Sequence, residues 1–185
     1  MANEVNVAGF KDLQKFLNTL APKIERNILR AALSKGARVV RDEAKTLVPV
    51  ALPNEENRKL YGGHAGALRN SLRVGSRARG GKVTAYIRAG GKKKGADTYY
   101  AHWVEYGTRT HFINSKSGYL RINGRWVKAP VTHPGAKAKP FLRPALDSRA
   151  SDALRAVGNF IKHRLDTKHG LDTKAVDINV EGEFE

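Results

Sequence analysis

Cysteine is absent from this chain of 185 residues, and long apolar runs are absent too. Without cysteine the protein can form no disulfide, no thiolate zinc site and no cysteine nucleophile. No window approaches the roughly 18 consecutive apolar residues of a membrane-spanning helix, and the N-terminus lacks a basic patch followed by an apolar run. The sequence therefore predicts a soluble chain that is not exported.

Acidic residues are scarce, since 17 Asp and Glu stand against 34 Lys and Arg, for a formal net charge of +17. Residues 58–94 contain eleven basic residues and no acid, whereas the last residues are rich in Glu. A field this positive attracts nucleic acid or an acidic protein face. The candidate contacts with either partner are Arg73, Arg77, Arg79, Lys82, Lys92, Lys93 and Lys94.

Side chains that catalyse reactions or bind metals occur in no recognisable pattern. The six histidines are scattered and form no His-Glu-x-x-His motif for zinc. Gly90–Gly95 is rich in Gly and Lys but lacks the spacing of a phosphate-binding loop. His102 precedes Glu105 by one helical turn, yet no nucleophile accompanies this pair. We therefore expect no enzyme, cofactor or metal; a hydrolase is a distant alternative.

Apolar residues recur at helical spacing in three segments. They predict a short helix over Phe10–Leu20, a long helix over Pro22–Leu47 and a final helix that begins at Pro144. Gly36 lies within the long helix, where glycine is costly, so we expect a close packing contact there. A basic stripe on the long helix is either a solvated face or a partner contact, and it contains Lys23, Arg26, Arg30, Arg38, Arg41 and Lys45.

Alternating patterns predict a β-hairpin after the long helix. Its strands are Ser71–Ser76 and Val83–Ala89, and Gly80-Gly81 offers the turn. Residues 48–63, before this hairpin, have little periodicity and are expected to form an inserted loop.

A second hairpin is predicted around Asn123-Gly124, the dipeptide preferred in type I′ turns. A two-residue turn pairs Arg121 with Trp126 and places both on one face with Tyr119. Because Trp and Arg are favoured interface anchors, this hairpin is a candidate partner-docking element. The alternative is an ordinary exposed hairpin that covers its own core.

Two stretches, Tyr100–Thr108 and Lys139–Ala145, are dense in bulky anchors and poor in reactive groups. Such composition favours docking over catalysis. Glu105 is one of the few acids in the basic middle of the chain, so we expect it to pair with an arginine, either Arg143 or Arg69. The candidate interface residues are Tyr100, Trp103, Glu105, Tyr106, Pro140, Phe141, Arg143, Tyr119, Arg121 and Trp126.

Three motifs in this order resemble the tail-completion, or head-tail joining, family of long-tailed bacteriophages, typified by the tenth gene product of a lambdoid coliphage. They are Gly66-x-Leu68-Arg69-x-Ser71-Leu72, Tyr100-Ala101 with Val104-Glu105-Tyr106-Gly107-Thr108, and Pro140-Phe141-Leu142-Arg143-Pro144-Ala145. The resemblance covers most of Phe10 to about Leu165. Three parts depart from it: Ala65 stands where a hydroxyl residue often precedes the glycine, residues 109–134 look like an inserted hairpin region, and the tail after Lys168 has no counterpart.

The resemblance implies an α+β fold with amphipathic helices packed on an antiparallel sheet, here with an inserted β-hairpin. It implies a non-enzymatic virion subunit, made in the host cytoplasm, that closes into a homo-oligomeric ring, a hexamer or dodecamer, in the neck between head and tail. The expected partners are copies of itself, head completion or connector proteins, the tail terminator or tail tube protein, and packaged DNA. A basic nucleic-acid-binding protein is the alternative. We expect one domain over residues 1–167 and an acidic tail over 168–185.

Overall fold

The computed structural model of this chain describes residues 6–50, 65–90, 92–93, 96–122, 124–170, 172–174 and 176–181. The helices in these ranges are α1 (Phe10–Asn18), α2 (Pro22–Leu47), α3 (Ala67–Ser71), α4 (Ala101–Tyr106) and α5 (Leu142–His169). The strands are β1 (Asn6–Ala8), β2 (Arg73–Arg79), β3 (Lys82–Arg88), β4 (Lys92–Lys93), β5 (Ala96–Asp97), β6 (His111–Ile113), β7 (Tyr119–Ile122), β8 (Arg125–Lys128), β9 (Val131–His133) and β10 (Asn179–Glu181).

The two long helices, α2 and α5, pack against each other and form the centre of the molecule. Their contact is close because glycine lies at the crossing: a Cβ built on Gly36 would lie 2.7 Å from Cγ2 of Val157 and 2.8 Å from the carbonyl oxygen of Ala153. The predicted bounds of α2 and the predicted packing role of Gly36 are confirmed.

The core has two parts. The first joins α1, α2 and α5 with the chain before β10, and its buried members are Leu13, Leu17, Ile28, Ala32, Val157, Ile161, Leu165, Val176 and Ile178. The second joins α2 and α5 with α3 and α4, and contains Val40, Ala44, Val48, Leu68, Leu72, Ala101, Phe141 and Ala145.

The sheets are small, because each strand in the described ranges pairs with a single partner. β2 and β3 form an antiparallel hairpin in which Arg79 pairs with Lys82, so Gly80-Gly81 is the turn, as predicted. Both strands of this hairpin pack on α2. The α+β prediction, with helices on an antiparallel sheet, is confirmed, although the sheet that α2 covers has only these two strands.

The end of the chain packs more closely than the sequence predicted. Within 168–185, residues Val176, Ile178 and Val180 are buried, and β10 pairs antiparallel with β1. Ile178 contacts α5 at Gly158, where a Cβ would lie 2.7 Å from its Cγ2 atom. The described part of this segment is therefore a piece of the fold, because its three alternating apolar residues supply core surface that outweighs its acidic composition.

Residues 108–136 form an extended β-ribbon, which we call the β-arm. At its base Thr108 and Ala136 form a bridge, then β6 pairs with β9, and β7 pairs with β8 nearest the tip. The predicted register is confirmed, since Arg121 lies opposite Trp126 and Ile122 opposite Arg125. Most side chains of the four strands are exposed.

No helix within the described ranges is long and apolar enough to cross a membrane. The predicted inserted loop falls largely on residues 51–63, and these lie outside the described ranges together with Lys94 and the side chains of Lys92 and Lys93.

Candidate interface surfaces

Glu105 fixes the start of α5. Its Oε2 atom accepts hydrogen bonds from the backbone N–H groups of Phe141 (2.8 Å) and Leu142 (3.0 Å), and Oε1 accepts one from Arg143 (3.2 Å). The first N–H groups of a helix have no partner within the helix and carry partial positive charge, so a buried carboxylate is well matched there. The predicted pairing with a guanidinium is wrong, because the helix N-terminus satisfies this carboxylate instead.

Ser71, in the motif at Gly66–Leu72, and the following Arg73 also form hydrogen bonds with backbone groups. The buried Ser71 hydroxyl donates to the carbonyl oxygen of Leu68 (2.7 Å) and accepts from the N–H of Gly90 (3.0 Å). A guanidinium nitrogen of Arg73 donates to the Gly90 carbonyl oxygen (3.1 Å). The first motif therefore ties the end of α3 to the chain after β3.

Two of the predicted docking residues, Phe141 and Glu105, lie inside the subunit. Phe141 has no exposed surface and Glu105 is buried. Neither side chain can contact a partner, because both are already used in the junction between α4 and α5. Pro140 and Arg143 beside them are exposed.

An exposed aromatic cluster flanks this junction, and we call it the α4 aromatic surface: Tyr99, Trp103 and Tyr106. Tyr99 and Trp103 meet edge to face with ring centroids 5.3 Å apart, and Tyr106 is 78% exposed. Tyr100 turns inward; its burial, and to a smaller extent the neighbouring Tyr99, raise the pKa of its hydroxyl above the ordinary value. Tyr99, Trp103 and Tyr106 therefore remain exposed and available for a partner, whereas Tyr100 does not.

Gly107 connects α4 to the β-arm. Its φ of 73° lies in the region that favours glycine, and a Cβ there would lie 2.6 Å from the carbonyl oxygen of Ala136. The N–H of Thr108 donates to the same carbonyl oxygen (2.9 Å). The base of the β-arm is thereby attached directly to the end of α4.

The β-arm carries large apolar side chains that nothing in the described chain covers. Trp126 is 70% exposed and Phe112 69% exposed, and Tyr119, Ile122 and Val127 are also exposed. The hairpin is thus mostly exposed among the described residues, and its role as a docking element stays a prediction. Isolated two-stranded ribbons are marginally stable in water, so such a surface is typical of an element that is covered in an assembly.

Basic side chains line the β2–β3 hairpin and the adjoining face of α2. Arg77, Arg79 and Lys82 are exposed near the Gly80-Gly81 turn, and a guanidinium nitrogen of Arg30 lies 3.4 Å from the Ser76 carbonyl oxygen. Arg73 is half-buried because it serves the Gly90 contact. The structure thus brings part of the predicted basic run together on one side of the hairpin.

An apolar groove of about 500 Å³ lies between α2, β3 and α5. We call it the α2–α5 groove; its lining includes Leu33, Val40, Ile87, Leu146 and Leu154. Leu146 belongs to the apolar residues of α5 and is 53% exposed. The sequence signal for this groove was the apolar stripe on α5, which is wider than one neighbouring helix can cover.

No group of three or more His, Asp or Glu side chains able to hold a metal ion occurs among the described residues. The surfaces above offer exposed apolar side chains, basic charge and an apolar groove.

A family model described as "Bacteriophage HK97-gp10, putative tail-component" matches residues 11–107, which are 97 of the 185 residues. The chain belongs to this family. It is thus a member of a family of phage tail components, and the predicted resemblance is confirmed at that level. No curated protein and no solved structure matches the chain.

The matched range of the HK97-gp10-like family includes α1 to α4, with the motifs at Gly66–Leu72 and Tyr100–Gly107. It ends where the β-arm begins, and the Pro140–Ala145 motif and α5 lie beyond it. Family membership therefore bears on the α4 aromatic surface and the basic hairpin, whereas the β-arm has to be interpreted from its own structure.

Proposed function

We propose that this tail-component family member is a structural subunit of the phage neck, which joins head to tail and catalyses no reaction. In this proposal the chain closes into a homo-oligomeric ring, a hexamer or dodecamer, between the head connector and the tail tube. Its partners are its own copies, head completion or connector proteins, and the tail terminator or tail tube protein.

The observation that carries this proposal is the amount of apolar surface left uncovered on one folded subunit. The α4 aromatic surface, the β-arm and the α2–α5 groove lie on different elements, and each exposes large apolar side chains. Soluble monomers rarely expose several such patches, whereas a ring subunit with neighbours on both sides and rings above and below needs them.

The test is inactivation of the gene in the phage that carries it, followed by electron microscopy of the lysate. A neck subunit is required to connect the two halves of the virion, so we expect filled heads and free tails in place of joined particles. Complementation with the wild-type chain should restore joined particles that contain the protein. Joined virions without the protein would contradict the proposal.

Binding of nucleic acid is the second candidate, favoured by the exposed Arg77, Arg79 and Lys82 at the β2–β3 turn. A protein that contacts six to ten phosphates loses roughly 10³ to 10⁵ in affinity between about 50 and 200 mM salt. A DNA complex with that salt dependence, formed by a persistent monomer that is missing from virions, would favour this function over the neck role.

A further inference from the structure

We propose that the tip of the β-arm of one subunit docks into the α2–α5 groove of a second copy of this chain, with Trp126 as the inserted side chain. The inference rests on the proposed ring function and specifies its subunit interface. The donor element and the acceptor groove are different surfaces, so the contact is head to tail, and repetition of such a contact closes a ring.

The chemistry of the two surfaces matches. The groove is apolar on α2, β3 and α5, and its volume of about 500 Å³ lies within the range of about 300 to 1,000 Å³ typical of pockets that enclose small molecules. An indole buries about 150 to 250 Å² when it is covered. Trp126 is the most exposed large hydrophobic residue of the β-arm among the described residues, and it lies in β8, one of the two strands nearest the tip.

Charge favours the same pairing. Residues 109–136 contain Arg109, Lys116, Arg121, Arg125 and Lys128 and no acid. On α5, exposed Asp147 directly follows the groove residue Leu146, and it takes part in none of the ion pairs found among the described residues. A basic arm tip that reaches Leu146 would therefore have an exposed carboxylate one residue away.

The length of the β-arm sets how far its tip can reach. A strand extended without interruption from residue 111 to 122 would measure about 40 Å at roughly 3.3 Å per residue, which is an upper bound because residues 114–118 form no strand. The bridge between Thr108 and Ala136 closes the base of the arm. Among the described strands, β7 and β8 near the tip pair only with each other, and most of their side chains are exposed.

The test uses the absence of native cysteine. Lys128, on the same face as Trp126, is replaced in one chain (Lys128→Cys), and groove residue Leu146 in another (Leu146→Cys). Both chains are expressed together in cells infected by the phage whose own copy is inactivated, and purified virions are treated with a short bis-maleimide. Leu47→Cys replaces Leu146→Cys in the matched control, because Leu47 is a comparably exposed leucine on α2 outside the groove.

We expect a covalent dimer from Lys128→Cys with Leu146→Cys, and its loss when Leu47→Cys is the second chain. Particles that contain both variants but no covalent dimer would overturn the proposed docking of the β-arm and would not affect the proposed neck function. Absence of the wild-type chain from particles would overturn both. If a cysteine variant fails to enter particles, Trp126→Phe and Trp126→Ala are used in its place. A loss of ring mass in particles that is small for Trp126→Phe and larger for Trp126→Ala supports the docking, and unchanged rings contradict it.

Discussion

Glu105 shows how one acidic residue can organise the junction between two helices. Three backbone N–H groups at the start of α5 donate to its carboxylate. Glu105→Ala leaves those buried donors without a partner, so we expect the free energy of unfolding to fall by about 1 to 3 kcal/mol. Urea unfolding followed by circular dichroism measures this loss.

Glu105→Gln and Asp147→Ala are the matched variants. The glutamine keeps one acceptor oxygen and loses the charge, so its stability should lie between those of the wild type and the alanine variant. Asp147 is an exposed acid on α5, the helix that Glu105 caps, and its removal should change stability by less than about 0.5 kcal/mol. Equal losses at both positions would indicate that overall charge, and not helix capping, accounts for the effect.

Asp166 provides a residue whose contribution depends on pH. Hydrogen bonds from the Thr173 hydroxyl (2.6 Å) and backbone N–H (2.9 Å) lower the pKa of Asp166 below its ordinary value of 3.8. A lowered pKa in the folded state means that the ionised form is stabilised. This stabilisation is complete above the unfolded-state pKa and is lost as pH falls through the lower folded-state value.

We therefore expect Asp166→Asn to lower the free energy of unfolding at about pH 6 and to differ less from the wild type at about pH 2.5. Chemical unfolding at both pH values measures the difference. Asp147→Asn, at an exposed site on the same helix, should give a small effect that does not change in the same direction. A constant Asp166→Asn deficit at both values would contradict the pKa shift as its cause.

At the scale of elements, Gly36 determines how closely α2 approaches α5. In an exposed helix interior, Gly→Ala stabilises by about 1 kcal/mol. Here the added Cβ would meet Cγ2 of Val157 at 2.7 Å and the Ala153 carbonyl oxygen at 2.8 Å. Because that oxygen belongs to the backbone of α5, we expect Gly36→Ala to destabilise the fold by about 1 to 2 kcal/mol in urea unfolding. Asn27→Ala, at an exposed position on α2, is the control and should be neutral or stabilising.

Elements defined by local signals were predictable from the sequence. α2 begins at Pro22 and ends before Pro49, the first hairpin turns at Gly80-Gly81, and the second pairs Ile122 with Arg125, the register that a two-residue Asn-Gly turn predicts. The bounds of α2 and the turn registers follow from rules that need only neighbouring residues, whereas the first hairpin strand is Arg73–Arg79 and not Ser71–Ser76, because Ser71 ends α3. The final helix begins at Leu142 and not at Pro144, because Glu105 caps N–H groups from a distant part of the chain.

Features that depend on long-range contacts were not predictable. Burial of Val176 and Ile178 needs α5 as a partner, and acidic composition at the C-terminus pointed away from it. Phe141 occupies the core because α4 and α5 meet there, whereas its flanking prolines suggested a presented anchor. The α2–α5 groove forms where α2, β3 and α5 surround one apolar space, which periodicity alone does not reveal.

At the scale of the whole molecule, the same chain has a rigid helical centre and a β-arm whose side chains are mostly exposed. The α2–α5 packing and the Glu105 cap involve no residue of the β-arm. Substitutions on the β-arm should therefore separate assembly from folding. A defect in assembly with unchanged stability would identify the arm as a contact surface, since exposed residues change stability little.

Trp126→Ala is the most direct test of whether assembly and folding can be separated. The indole is 70% exposed, so its removal should change the free energy of unfolding by less than about 0.5 kcal/mol, with an unchanged circular dichroism spectrum. Truncation of a buried interface anchor typically costs at least about 2 kcal/mol of binding free energy. If Trp126 is such an anchor, phage complemented with the variant should accumulate separate heads and tails, counted by electron microscopy. Leu47→Ala, at an exposed leucine away from the β-arm, should give normal yields of joined virions, and equal yields from both variants would remove Trp126 from the interface.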